Sequence, residues 1–256
     1  MEDRFKLSVR NLTKIFVTEK TESLVVDDVS IDVRENEFVV LLGPGQCGKS
    51  VILSMVSGLM EPTVGEVLLD GKKKTDITTK IAMVFQRVCL LPWLTVEGNV
   101  EFGLKYAGVP KAQRRETARR YIELVGLAGF ESSFPHQLSG GMKQRVGIAR
   151  AYANAPEVLL MDEPFGALDA QTRYAMEDEI LKIWSKEKRT VIFVTNNIEE
   201  AVYLADRIIL FSKKPASVKH VFDLNGVGRP RDNMSEEFLK IRQEVADMMD
   251  LDLGGE

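Results

Sequence analysis

The stretch EFVVLLGPGQCGKSV, Glu37–Val51, decides the fold. Its first half, EFVVLL over Glu37–Leu42, has the length of a buried strand and ends in glycines. The apolar residues of Val51–Met60 then predict a packed helix. Between strand and helix, Gly43–Ser50 fits G-x-x-x-x-G-K-[ST], in the strand–loop–helix setting that this pattern requires. Gly43, Pro44, Gly45, Gln46, Cys47 and Gly48 form a loop whose amides can turn inward around a β-phosphate. The helix amino terminus adds partial positive charge there. Lys49 can neutralise the β- and γ-phosphates, and the Ser50 hydroxyl can ligate Mg²⁺. The glycines Gly43, Gly45 and Gly48 also spell G-x-G-x-x-G, with Asp70 spaced to hold a ribose. A dinucleotide-binding oxidoreductase is therefore a rival, although it has no use for Lys49 and Ser50.

Working outward, residues 5–11 and 24–34 alternate as half-exposed strands, and Val64–Asp70 and Ile81–Phe85 read as further strands. From Thr95 to Ala153 the pattern is helical, with Pro110 opening and Gly126 closing one helix. The arginines of that helix, Arg114, Arg115, Arg119 and Arg120, read as a solvated face. Strand character returns at Glu157–Met161, Thr190–Val194 and Arg207–Phe211, with helices near 170–187 and 197–205 and a short tail helix at Glu236–Met249. This alternation predicts an α/β fold: a sheet flanked by helices, interrupted by a helical insertion.

Two further motifs separate the rival readings. In VLLMDEP, Val158–Pro164, an apolar strand ends in two carboxylates. Asp162 can hold the Mg²⁺ hydration shell, and Glu163 can orient or deprotonate an attacking water. In LSGGMKQR, Leu138–Arg145, Ser139 suits an N-cap, and the bare amides of Gly140 and Gly141 can bind an anion. A second anion site makes sense if it serves the nucleotide on a neighbouring copy.

These motifs, in this order, resemble the ATPase subunits of ATP-binding cassette (ABC) transporters over nearly the whole chain. LLPWLTVEGNV (Leu90–Val100) and DEPFGALDAQTR (Asp162–Arg173) resemble the nitrate/sulfonate/taurine importer group. The resemblance implies a P-loop NTPase core with a mixed sheet flanked by helices and an antiparallel β subdomain, carrying an inserted helical subdomain. The boundaries expected are 1–86 and 157–225 for the core, 87–156 for the helical signature subdomain and 226–256 for the tail. It implies that Gln86 touches Mg²⁺ or the water and that Phe16 stacks on adenine. Val51, beside the phosphate loop, stands where the family more often has Thr, with the Mg²⁺ ligand Ser50 retained and little effect expected. Leu168 and Asp169 would pass between two subunits, and Trp93 would lie where the family meets its membrane partner. The partners implied are a second ATPase subunit (a copy of the chain ahead of a different one), permease subunits and, indirectly, an extracytoplasmic solute-binding protein. The expected place is the cytoplasmic face of the inner membrane, held peripherally.

Where the family carries a switch histidine after the strand that follows the acidic pair, this chain reads Val194-Thr195-Asn196-Asn197. Asn196 offers an amide donor but cannot become cationic. The only histidines, His136 and His220, fall elsewhere. The expectation is an active but slow ATPase. A stand-alone cassette outside import and a nucleotide-gated regulator stay open as alternatives.

Composition sets limits on these readings. The chain has 256 residues, 45% hydrophobic and 28% charged, enough for one large domain with a core. A net charge of -4 argues against nucleic acid as partner. Cys47 and Cys89 fit neither a disulfide framework nor a zinc spacing. The opening MEDRFKLSVR lacks the apolar core of a signal peptide, and no apolar run reaches the length of a spanning helix. Cys47 reads first as a small packed residue, but a nearby helix amino terminus lowers a thiol pKa, so a bulky thiol reagent is also expected to block nucleotide binding there and ATP to protect it.

Overall fold

The computed structural model describes residues 5–19 and 21–250. They form two compact units, one running to Thr78 and resuming at Thr190, the other Thr79–Arg189. The first unit begins with β1 (Phe5–Val17), β2 (Glu22–Arg34), β3 (Phe38–Leu42), α1 (Lys49–Ser57), β4 (Val64–Leu69) and β5 (Lys72–Lys73). The second holds β6 (Ile81–Val84), α2 (Val96–Val100), α3 (Phe102–Tyr106), α4 (Lys111–Leu124), α5 (Gly140–Ala153), β7 (Val158–Asp162) and α6 (Ala170–Lys186). The first unit resumes with β8 (Thr190–Thr195), α7 (Ile198–Leu204), β9 (Arg207–Phe211), β10 (Val218–Asp223) and α8 (Glu236–Asp250).

Within the first unit, β1, β2, β4 and β5 make an antiparallel sheet in the order β2-β1-β4-β5. The strands β10, β9, β3 and β8 lie side by side in a mixed arrangement. There, β3 runs parallel to both β8 and β9, and β10 runs antiparallel to β9. Every residue of β3 and β8 is buried. That is the burial pattern of parallel strands covered on both faces, and it explains why FVVLL and TVIFVT are unbroken apolar or β-branched runs. β1 runs past residue 11, where the alternating pattern stops, because Asn11 and Asp28 take positive φ (48° and 46°) in facing bulges. The Asn11 amide donates to Asp28 Oδ1 at 2.8 Å, holding the pair of kinks together. Two strands escaped the sequence reading: β5 spans only Lys72–Lys73, and β10, VKHVFD, is an edge strand with no clean alternation.

In the tail, the buried Arg231 guanidinium donates to the carbonyls of Val202 (2.6 Å) and Ala205 (2.7 Å), capping the end of α7. Burial lowers its pKa to about 10. Arg242 on α8 pairs with Glu199 on α7 at 3.0 Å.

In the second unit, β6 and β7 pair in parallel, and α2, α4 and α5 pack on one another. Pro110 precedes α4, and Gly126 follows it with φ 67°, the left-handed turn that suits glycine. The arginine face of α4 is solvated, as its sequence predicts, at Arg115, Arg119 and Arg120, which are exposed; of the four only Arg114 is drawn in. Arg114 is largely buried and bonds Glu101 at 2.9 Å, Arg119 pairs with Glu97 at 3.0 Å, and Arg120 pairs with Glu187. The acids that receive these arginines lie outside α4, so the α4 sequence alone could not show them.

Candidate nucleotide-binding and hydrolysis site

In the first unit, β3 delivers the phosphate loop. Leu42 lies opposite Thr195 of β8, so Gly43 and Asn196 leave the sheet at the same edge. Gly48 has φ 124°, and a Cβ there would sit 2.8 Å from the Val25 carbonyl oxygen, so this position requires glycine twice over. Lys49 is 3% exposed, and its ammonium donates to the carbonyls of Gly43 (2.8 Å) and Pro44 (2.7 Å), which holds the charge within the loop. Gly45, Gln46 and Ser50 are exposed, and Val51 is half-buried. Asn196 is exposed at the tip between β8 and α7. The next residue, Asn197, caps α7 by accepting from the Glu200 amide at 3.1 Å. Phe16 stands near the tip of the β1–β2 hairpin opposite Ser23, 37% exposed, with Lys14 Nζ 5.3 Å from its ring centroid. Asp70 is bonded to Lys6 at 2.8 Å in the turn after β4.

In the second unit, the pairing of Val84 with Met161 brings the ends of β6 and β7 together. There Gln86 Nε2 donates to Glu163 Oε2 at 3.3 Å. Asp162 ends β7, and Glu163 follows in the left-handed region with φ 40°. The Gly166 amide donates to the Glu163 carbonyl at 3.1 Å, closing the turn that sets this backbone. Strain of this kind, about 1–3 kcal/mol for a non-glycine residue, persists where surroundings over-determine it. Ser139 caps α5 as expected, its Oγ accepting from Met142 N at 3.3 Å, and Ser139 and Gly140 are exposed. Asp169 caps α6 by accepting from the Thr172 amide at 3.0 Å. Hydrogen bonds from the Thr172 backbone, then from its side chain, hold the Asp169 carboxyl below its ordinary pKa.

Comparison with known proteins places this arrangement. The pattern of the ABC transporter family matches residues 26–166. The chain belongs to the ABC transporter family. An uncharacterized ABC transporter ATP-binding protein of Methanocaldococcus jannaschii is 48% identical over 246 residues, covering 96% of this chain and 92% of that one. An aliphatic sulfonates import ATP-binding protein of Bacillus cereus is 40% identical over 239 residues, covering 93% and 94%. Among solved structures, a dimeric ATP-binding cassette in a post-hydrolysis state, bound to ADP and Pi, superposes with a TM-score of 0.75 at 34% identity. That match covers 85% of this chain and 98% of the other. The fold is thus the P-loop NTPase fold, and the cassette is an ATP-binding ATPase coupled to transport. The oxidoreductase reading falls away.

The cassette holds its remaining candidate residues as follows. Trp93 is 70% exposed in the loop before α2. That loop is fastened by Asn99, which the sequence reading missed: its side chain, fully buried, accepts from Leu91 N (2.8 Å) and donates to the carbonyls of Leu91, Leu94 and Thr95. In sequence Asn99 stands between Gly98 and Val100 with no motif of its own to mark it. His136 stacks beside Phe134, and His220 lies edge-on to Phe222, so the two histidines have ring partners of their own. Among the described residues no group of three or more His, Cys, Asp and Glu could hold a metal, and no helix is long and apolar enough to cross a membrane. Ser50 in the first unit offers a hydroxyl and Asp162 in the second a carboxylate, each a hard oxygen donor of the kind Mg²⁺ takes.

The structure bears out the packed reading of Cys47 and leaves its expected reactivity without access. Its thiol is buried, 2% exposed, close to Lys49 Nζ at 3.6 Å. A bulky maleimide is therefore expected to label Cys47 slowly both with and without ATP, while the exposed Cys89 reacts first. Peptide mapping by mass spectrometry reads the order. Rapid, ATP-protected labelling of Cys47 would show instead that the loop opens.

Proposed function

We propose that this cassette dimerises head to tail around two Mg·ATP and powers an importer for a small anion or a sulfonate-like solute. One observation carries the reading: a single chain presents two separate phosphate-binding backbones, the loop Gly43–Ser50 and the exposed helix start Ser139–Gly141. One nucleotide needs the first, and a neighbour's nucleotide gives work to the second. In this reading Lys49 neutralises the β- and γ-phosphates, and Ser50, Asp162 and Gln86 hold Mg²⁺, which supplies charge neutralisation on the phosphates. Glu163 orients the attacking water and receives its proton, Gln86 positions Glu163, and Asn196 donates to the γ-phosphate. Phe16 stacks on adenine, and Leu168 and Asp169 lie along the seam between protomers. Loss of the γ-phosphate removes the bridge, and the pair reopens.

The same proposal assigns 1–86 with 157–225 to the nucleotide core, 87–156 to the signature subdomain and 226–256 to the tail. It has permease subunits docking at Trp93, a solute-binding protein outside, and the cassette peripheral at the cytoplasmic face of the membrane. The solute class is supported by the sulfonate-import relatives. Asn196 favours a second reading, a weakly hydrolysing regulator, which turnover measurements separate.

A strain lacking its own sulfonate-import ATPase tests the solute. The cassette, expressed with its cognate permease and binding protein, is expected to restore growth on an alkanesulfonate as sole sulfur source, and Lys49→Ala is expected to abolish it. Growth restored on nitrate alone would move the solute class; no restoration on any small anion would sink import.

A further inference from the structure

The Leu168–Asp169 loop and the Ser139–Gly141 turn meet within one chain, and Thr172 stands between them. Its hydroxyl donates to Asp169 Oδ2 at 2.7 Å while its amide donates to Oδ1 at 3.0 Å, so both carboxylate oxygens are engaged. The hydroxyl bond fixes the side-chain rotamer of a β-branched residue, and with it the direction of the methyl. That methyl faces the signature turn: a Cβ built on Gly141 would lie 3.0 Å from Thr172 Cγ2. A Cβ on Gly140 would meet Leu168 Cδ2 at an ordinary 3.7 Å. Gly141 carries no positive φ, unlike Gly48. Its backbone therefore accepts alanine, and a helix interior would favour it.

We propose that Thr172 is a positioning residue that locks the signature turn to the Leu168–Asp169 loop, and that its methyl, held by the Asp169 bond, disfavours a side chain at position 141. The functional part rests on the dimeric reading above. In that reading both segments face the partner's nucleotide, and the lock makes them one block rather than two independent loops. The familiar alternative is that glycine serves only the close approach of a neighbour's phosphate.

The test is a double-mutant cycle on the full chain. Gly141→Ala is expected to lower the midpoint of urea unfolding in the absence of nucleotide, and to lower kcat for ATP about tenfold with KM within about twofold, the pattern of displaced chemistry rather than lost binding. Thr172→Ser keeps the hydroxyl and removes the methyl. Added to Gly141→Ala, it is expected to restore the unfolding midpoint and to return kcat to within about threefold of the Thr172→Ser single variant. Thr172→Val, which keeps a methyl there, is expected not to rescue. A double variant as impaired as Gly141→Ala alone, or rescue by Val as readily as by Ser, overturns the proposal, and so does a harmless Gly141→Ala. Coupling in unfolding, with Glu163→Gln remaining a single chain in Mg·ATP by light scattering, would leave the steric lock standing and refute the dimeric reading together with the lock's role in turnover.

Discussion

Glu163→Gln is expected to reduce steady-state ATP hydrolysis by on the order of 10³-fold while leaving ATP affinity nearly unchanged, the cost of removing a positioned general base. The substitution preserves size and keeps an acceptor oxygen for Gln86, which lies 3.3 Å from Glu163 Oε2, so the local geometry survives. What is lost is the ability to take the proton of the attacking water. The backbone at Glu163, with φ 40° and its carbonyl tied to the Gly166 amide, aims the side chain independently of its charge. Phosphate-release kinetics alongside equilibrium ATP binding separate the two quantities. A fall of less than about fivefold would remove Glu163 from the chemistry and leave it a structural acid at the end of β7.

Asn196→His is expected to raise turnover, by on the order of 10²-fold, the low end of what one charge-stabilising donor contributes in a transition state. The position is prepared for the change. Asn196 is exposed, and the bonds that hold the neighbouring turn belong to Thr195 and Asn197: Asn197 N donates to Thr195 Oγ1 at 3.0 Å, and Asn197 Oδ1 caps α7. The register of β3 against β8 places this residue at the edge from which the phosphate loop departs. A rate unchanged or lowered by histidine would mean that another residue stabilises the γ-phosphate, or that hydrolysis falls to a different subunit in a mixed pair.

The elements around the phosphate loop were legible because local and global preferences agree there. FVVLL has the length and the glycine boundary of a buried strand, GPGQCGKS cannot continue it, and the helix that follows is apolar on its packed face. The acidic pair and the Ser139 cap were legible for the same reason, since each sits where a regular element starts or stops. The failures have a common physical origin in contacts distant along the chain. The alternation in β1 breaks at Asn11 because of a bulge whose partner, Asp28, is on the next strand. For Cys47 the packed reading holds, and only the reactivity suggested by a helix head is withheld, because packing around the loop buries the thiol. Asn99 and Thr172 carry no motif of their own. Their importance comes from what their side chains touch: the carbonyls beneath Trp93 in one case, Asp169 and the face of Gly141 in the other.

The shared pocket is tested most directly by the mass of Glu163→Gln in solution, measured by light scattering after size exclusion with Mg·ATP, with Mg·ADP and without nucleotide. The expected result is a species of twice the chain mass with Mg·ATP alone, returning to single chains with Mg·ADP. Single chains under all three conditions, or a dimer indifferent to nucleotide, would contradict a mechanism in which the γ-phosphate of one protomer is gripped by the serine and glycine amides of the other.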